Sequence, residues 1–258
     1  MAIAAPRNGR RLDLDALFNV RDLGGYQGRA GQTIRWNQLY RADDLGRATA
    51  RDLATIAGLG VTTVIDLRTD RERAASRPPV FRGADIEIHH LPMVRHQWEE
   101  ANRFVARRDD AGDVEALLAQ RSLDMLVEGA PAIADALRIL SQPGAQPAVI
   151  HSSLGKDRAG LLAAVILALL GVPTQTIAED YALSSPASVG EAPWSQVHDA
   201  VGGSVRWDPP WDALAAPPQA IVRVLEQVNE QCGSMVGFTR GIGVEFEVIE
   251  ALHRQLLG

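Results

Sequence analysis

The sequence predicts an α/β fold, with a mainly parallel central sheet flanked by helices. Short β-branched runs alternate with longer amphipathic stretches along the chain, the pattern of strand–helix–strand units. One run, Val61-Thr62-Thr63-Val64-Ile65-Asp66-Leu67, is nearly continuous in apolar character, as a strand buried on both faces requires. Finally, Pro147-Ala148-Val149-Ile150 leads through His151 to Gly160 into the wholly apolar Leu161 to Leu170. That succession reads as buried strand, tight loop and buried helix.

Taken in order, residues 18–26 (Phe-Asn-Val-Arg-Asp-Leu-Gly-Gly-Tyr) set a charge pair beside a glycine turn. They read as a β-turn before a strand, or as locked structure beside a site. Ile34 to Tyr40 alternates enough to be a strand, and Leu45 to Leu59 reads as an amphipathic helix stopped by Gly58 and Gly60. The strand from Val61 ends in the polar cluster Asp66, Arg68, Asp70, Arg71 and Glu72. Open α/β sheets bind ligands beyond the carboxyl ends of their strands, and surface ion pairs capping the next helix would give the same cluster.

Ile86 to Leu91 is a further strand. Its adjacent His89 and His90 point to opposite faces and do not make a metal site, nor does His96 repair the spacing. Val114 to Leu140 reads as two helices or one broken near Gly129 and Pro131. Gln175 to Leu183, Ala220 to Gln231 and Val244 to Leu257 complete the helices. Residues 184–218 differ in texture, holding Trp194, Trp207, Trp211 and a concentration of prolines. We read them as a helical lid insertion within a single domain spanning 1–258, because long loops in compact domains are often gates.

Composition narrows the function classes. The net charge of −6 argues against binding a nucleic-acid polymer, which needs a basic face. A single cysteine, Cys232, rules out an intramolecular disulfide framework or a cysteine-rich metal site. The longest apolar run, Leu161 to Val172, is shorter than the ~20 residues a membrane span takes. Met1 to Arg11 carries no signal-peptide core. The expectation is a cytoplasmic protein, although secretion by a signal-independent route stays compatible. The arginine and alanine bias suggests a GC-rich bacterial genome.

Within His151-Ser152-Ser153-Leu154-Gly155-Lys156-Asp157-Arg158-Ala159-Gly160, a glycine, two cations and a helix N-terminus converge, which makes an anion cradle. Lys156 is the only lysine in the chain, which sets it apart from a random surface charge. A nucleotide-binding Walker loop fails, since Asp157 follows Lys156 and Ile150 stands where its first glycine belongs. A serine-hydrolase elbow fails for want of the first glycine, and Gly58-Leu59-Gly60 does not continue into a dinucleotide fingerprint.

This loop closely resembles the His-Cys-x-x-Gly-Lys-Asp-Arg-x-Gly signature of bacterial atypical protein-tyrosine phosphatases, a branch that includes lipid and phosphoinositide phosphatases. Asn19 to Tyr26, Leu39 to Ala42, Val64 to Thr69 with Glu72, Asp180 to Ser184 and Gly233 to Met235 resemble its other motifs in order. The resemblance implies a protein-tyrosine-phosphatase-like fold and a metal-independent, cofactor-free phosphomonoesterase. The implied partner is a phosphorylated substrate: a phosphopeptide, a nucleotide or another small molecule. It further implies that Ser153, Leu154, Gly155, Lys156, Asp157 and Arg158 bind phosphate, supported by His151, Asp66, Arg68 and Glu72. Asp157 becomes the general acid, with Asp66 as the alternative. Acidic Glu99 and Glu100 argue against polyanionic lipid headgroups.

In the family a cysteine follows the histidine, and its thiolate attacks phosphorus. Here that position is Ser152. A serine hydroxyl has a far higher pKa, so anion binding should survive while turnover collapses. Two accounts stand, a Cys→Ser substitution made to trap substrate or avoid oxidation, and a natural pseudophosphatase that binds phosphate. The otherwise complete loop favours the first. Ala159 replaces the family's common hydroxyl residue after the arginine, which bears on breakdown of the covalent intermediate.

Overall fold

The computed structural model describes residues 9–94, 114–185 and 215–258. Five strands form one sheet: β1 (Arg21–Asp22), β2 (Leu39–Ala42), β3 (Thr63–Asp66), β4 (Glu87–His90) and β5 (Ala148–His151), in the order β1-β2-β5-β3-β4. Only the β1–β2 pair is antiparallel. The central strand is therefore β5, the one that leads into the 151–160 loop. Its neighbours β2 and β3 end beside the loop, in register through Ala42↔His151 and Asp66↔His151.

Side-chain alternation along each strand divides the core. Leu39, Ile65 and Ile150 face one apolar cluster, and Tyr40, Val64 and Val149 face the other. The first cluster lies under helices α3 (Val114–Glu128), α4 (Ala130–Leu140), α5 (Asp157–Leu169), α6 (Thr174–Ala182), α7 (Pro218–Cys232), α8 (Met235–Gly241) and α9 (Phe246–Leu256). The second takes Ile56 from α1 (Ala50–Gly58). Every residue of α5 from Ala159 to Leu167 is buried, as its lack of a polar face requires. Among the described residues no helix is long and apolar enough to cross a membrane.

Several expected elements shift. The strand read at Ile34 to Tyr40 is β2, displaced to Leu39–Ala42, because the chain turns at Trp36 and Asn37, where Asn37 adopts φ 60°. Ile34 makes only an isolated bridge, to Leu257. The helix read at Leu45 to Leu59 splits into a 3₁₀ turn at Leu45–Arg47 and α1. The division falls at Thr49, whose side chain accepts from Asp52 N while the Asp52 carboxylate returns to Thr49 N, a complete capping box. Val114 to Leu140 resolves into two helices parted at Gly129. The helices α2 (Asp70–Ala75) and α8 were too short to announce themselves by periodicity.

Candidate active site

The loop turns sharply at Gly155, which has φ +64° and lies so close to β2 that a Cβ there would sit 2.6 Å from Ala42 O. No other residue fits without moving backbone. Helix α5 starts immediately afterwards, so the positive end of its dipole opens onto the loop. The N–H groups of Ser153, Leu154 and Gly155 donate to no oxygen among the described residues. Ser152 lies at the bottom, 2% exposed, with its N–H directed to Ala42 O at 3.4 Å.

One carboxylate organises the open rim. Thr69 caps α2 through a capping box that fixes Glu72. Glu72 Oε1 then accepts from Ser153 Oγ at 2.6 Å and Arg158 Nη2 at 2.7 Å, while Oε2 accepts from Thr69 N at 2.8 Å and from Arg158 Nη1. Burial alone would raise the Glu72 pKa, but Arg158 and these hydrogen bonds outweigh it and hold the carboxyl at about 2. Arg158 is thus pinned across the mouth with its fork oriented by a partner from another strand–helix unit. On the opposite side Lys156, 2% exposed, donates to Ala215 O at 3.0 Å and lies 3.4 Å from Asp157 Oδ1. Burial lowers the Lys156 pKa. Asp157 keeps 32% of its side chain exposed, and the nearby cations Lys156, Arg121 and Arg158 overcome burial to hold its carboxyl low.

The underside is a closed polar shell. Asn19 Nδ2 donates to Leu154 O at 2.8 Å, Arg41 Nε to Gly155 O at 2.7 Å and Arg41 Nη2 to Lys156 O at 3.0 Å. Arg41 is fully buried and is balanced by Asp180, 3.0 Å away, which Arg21 and the Tyr26 hydroxyl also reach at 3.0 Å. Ser184 Oγ accepts from both arginines. Burial would raise the Asp180 pKa, but the two arginines keep it at about 2. The sequence alone assigns no individual role to Asn19, Arg21, Arg41, Asp180 or Ser184. The available signal was an arginine inside each of two short, buried strands, since a buried charge needs a partner.

The strand-end residues form a third group. Arg68, 1% exposed, chelates Asp66 through Nε and Nη2 at 2.9 and 2.7 Å and also reaches Asp44 and Ser76. His151 is fully buried, 3.6 Å from Asp66 Oδ1, and neither ring nitrogen finds a hydrogen-bond partner. Burial, with Arg68 and Arg158 nearby, outweighs Asp66 and lowers its pKa to about 4. His151 is therefore neutral and is not hydrogen-bonded to Ser152. Asp66 faces Arg68 and His151 rather than the mouth. Among the described residues no three His, Cys, Asp or Glu side chains group to hold a metal ion.

The ends of the 184–218 span belong to the packed body. Ser184 lies in the polar shell, Ala216 is buried and Pro218 opens α7. Trp194, Trp207 and Trp211 lie outside the described residues, as do His96, Glu99 and Glu100.

Comparison with known proteins assigns the arrangement to a family. The model of the tyrosine phosphatase family matches residues 12–258. A protein of Cupriavidus necator, whose name places it provisionally among the tyrosine-protein phosphatases, is 28% identical over 190 residues. That match takes in 69% of this chain and 64% of the relative, under two thirds of its length. A tyrosine-protein phosphatase of Nostoc commune is 26% identical over 84% of this chain and 73% of its own. The triple specificity protein phosphatase PtpB of Mycobacterium tuberculosis is 24% identical over 95% of this chain and 99% of its own. With the family match running from the first strand's approach to the last residue, the chain belongs to the tyrosine phosphatase family.

Proposed function

We propose that residues 151–158 form the oxyanion site of a metal-independent phosphomonoesterase that works through a cysteinyl-phosphate when cysteine occupies position 152. The carrying observation is the cradle: the N–H groups of Ser153, Leu154 and Gly155, which donate to no oxygen among the described residues, just before a helix start, with Arg158 pinned by Glu72 and position 152 buried in the same loop. In the cysteine form the thiolate attacks phosphorus and the P–O bond to the leaving group breaks. The departing oxygen takes a proton from Asp157, and water then cleaves the S–P bond. Loop N–H groups and Arg158 hold the three equatorial oxygens as charge redistributes. Asp157 keeps 32% of its side chain exposed, and a bound phosphate dianion would push its lowered pKa back up toward the protonated acid.

The substrate class is a phosphate monoester, phosphotyrosine or a nucleotide or other small molecule. Likeness to a relative named for triple specificity supports a range wider than phosphotyrosine alone. With Ser152 the chain binds phosphate but turns over little or nothing, since neutral His151 does not reach the hydroxyl as a base. Ser152 also keeps a second reading open, a natural pseudophosphatase that uses the same cradle as a phosphate-binding module. Restoring cysteine (Ser152→Cys) and assaying an aryl phosphate, with and without chelator, separates them. We expect hydrolysis to rise from background and to persist with chelator. Background rates on aryl, nucleotide and lipid phosphates alike would leave only the binding module, and loss of activity with chelator would refute the metal-free chemistry.

A further inference from the structure

Three successive carbonyls of the loop, those of Leu154, Gly155 and Lys156, are taken up from below by Asn19 and Arg41. In a trans peptide unit the C=O and the following N–H point in opposite directions. The N–H groups of Gly155, Lys156 and Asp157 are therefore turned away from the shell, toward the mouth. Left-handed Gly155 followed by right-handed Lys156 (φ −98°, ψ −71°) is the backbone alternation that gathers successive N–H groups into an anion-binding nest.

Arg41 reaches this position only because Gly160 lacks a side chain. A Cβ at Gly160 would stand 2.5 Å from Arg41 Nη2 and 3.0 Å from its Cζ. The guanidinium has little room to yield, since its remaining donors are committed to Asp180 and Ser184.

Resting on the phosphatase reading, we infer that Arg41, admitted by Gly160 and assisted by Asn19, is a positioning residue that turns the loop N–H groups toward the phosphate without touching it. A merely structural ion pair would need only the contact with Asp180, which Arg21 already supplies. The two bonds to loop carbonyls are what a fork of several fixed donors adds and a lysine cannot reproduce.

The test titrates inorganic phosphate into the Ser152 chain and into its Arg41→Lys and Gly160→Ala variants, and follows the backbone amide resonances of residues 153–160. Gly160→Ala keeps every charge and improves helix propensity, so it decides the matter if Arg41→Lys does not fold. The expected result in folded protein is phosphate affinity weaker by about 10- to 100-fold, the scale of one lost hydrogen bond to a charged group. The Gly155 and Lys156 amide resonances should shift with it. In the Ser152→Cys background the same variants should lower kcat more than they raise KM. Folded variants that bind phosphate within about twofold of the parent would overturn the inference while leaving the phosphatase reading intact. A parent chain that binds no phosphate would instead refute the phosphatase reading. In that case unchanged Gly155 and Lys156 amides in Gly160→Ala would refute the positioning role independently.

Discussion

On the open side of the 151–160 loop, Arg158 and Ser153 share one partly exposed carboxylate, Glu72. On the underside the loop carbonyls rest on Asn19 and Arg41, which lean on Asp180, Arg21 and Ser184 in a shell almost closed to solvent. Under the proposed phosphate-binding role, the difference follows from what each side must do. A rim that exchanges partners with a ligand needs charges near water, where breaking an ion pair costs about 1 kcal/mol or less. A floor that must not move can use buried pairs, because removing one partner strands a desolvated charge.

The sharpest way to break this comparison is to neutralise the two carboxylates separately. Asp180→Asn leaves Arg21 and Arg41 buried without their counter-charge and should destabilise the protein by about 3–5 kcal/mol. Glu72→Gln, at the rim, should cost less, about 1–2 kcal/mol, since Glu72 and Arg158 keep 33% and 13% of their side chains exposed. Urea denaturation of both variants reads the difference directly. Equal losses would show that rim and floor are energetically alike.

A smaller effect concerns pH, and it again divides by location. Burial of neutral His151 lowers its pKa from 6.5 to about 4. The unfolded chain therefore binds the extra proton first, and this contribution to stability is lost as pH falls from 6.5 to about 4. Asp43 is fully buried beside the loop and accepts from Phe18 N and Asn19 N. Burial raises its pKa from 3.8 to about 6, so its contribution has the opposite sign and grows as pH falls through the same range. The two should nearly cancel between pH 6 and 4. Below that, Glu72 and Asp180, both held at about 2, should dominate, with stability falling as each carboxylate protonates. Denaturation of His151→Gln across pH 4–6 checks this. Stability should rise on acidification in the variant and stay nearly flat in the parent.

The rim was largely legible in the sequence and the floor was not. The loop's chemistry lies in consecutive residues, so Gly155, Lys156 and Arg158 can be read as a cradle without a fold. Glu72 could be reached as well, because the Thr69-x-x-Glu72 cap follows a recognisable strand. The floor instead joins Asn19 and Arg21 to residues some 160 positions away in α6 and just beyond it, brought together only when β1, β2 and β5 pair. No local pattern encodes that meeting. The misplaced strand before Tyr40 has a local cause: the φ 60° turn at Asn37 breaks an alternation that looked continuous.

The central claim is that Arg158 and the loop around it bind an oxyanion even with serine at position 152. Calorimetric titration of the Ser152 chain with inorganic phosphate, beside its Arg158→Ala variant, tests this most directly. The account predicts one-site binding in the parent and affinity weaker by at least about 100-fold without Arg158, since that change removes a bidentate charge-assisted contact. No binding in the parent, or unchanged binding in Arg158→Ala, would contradict it.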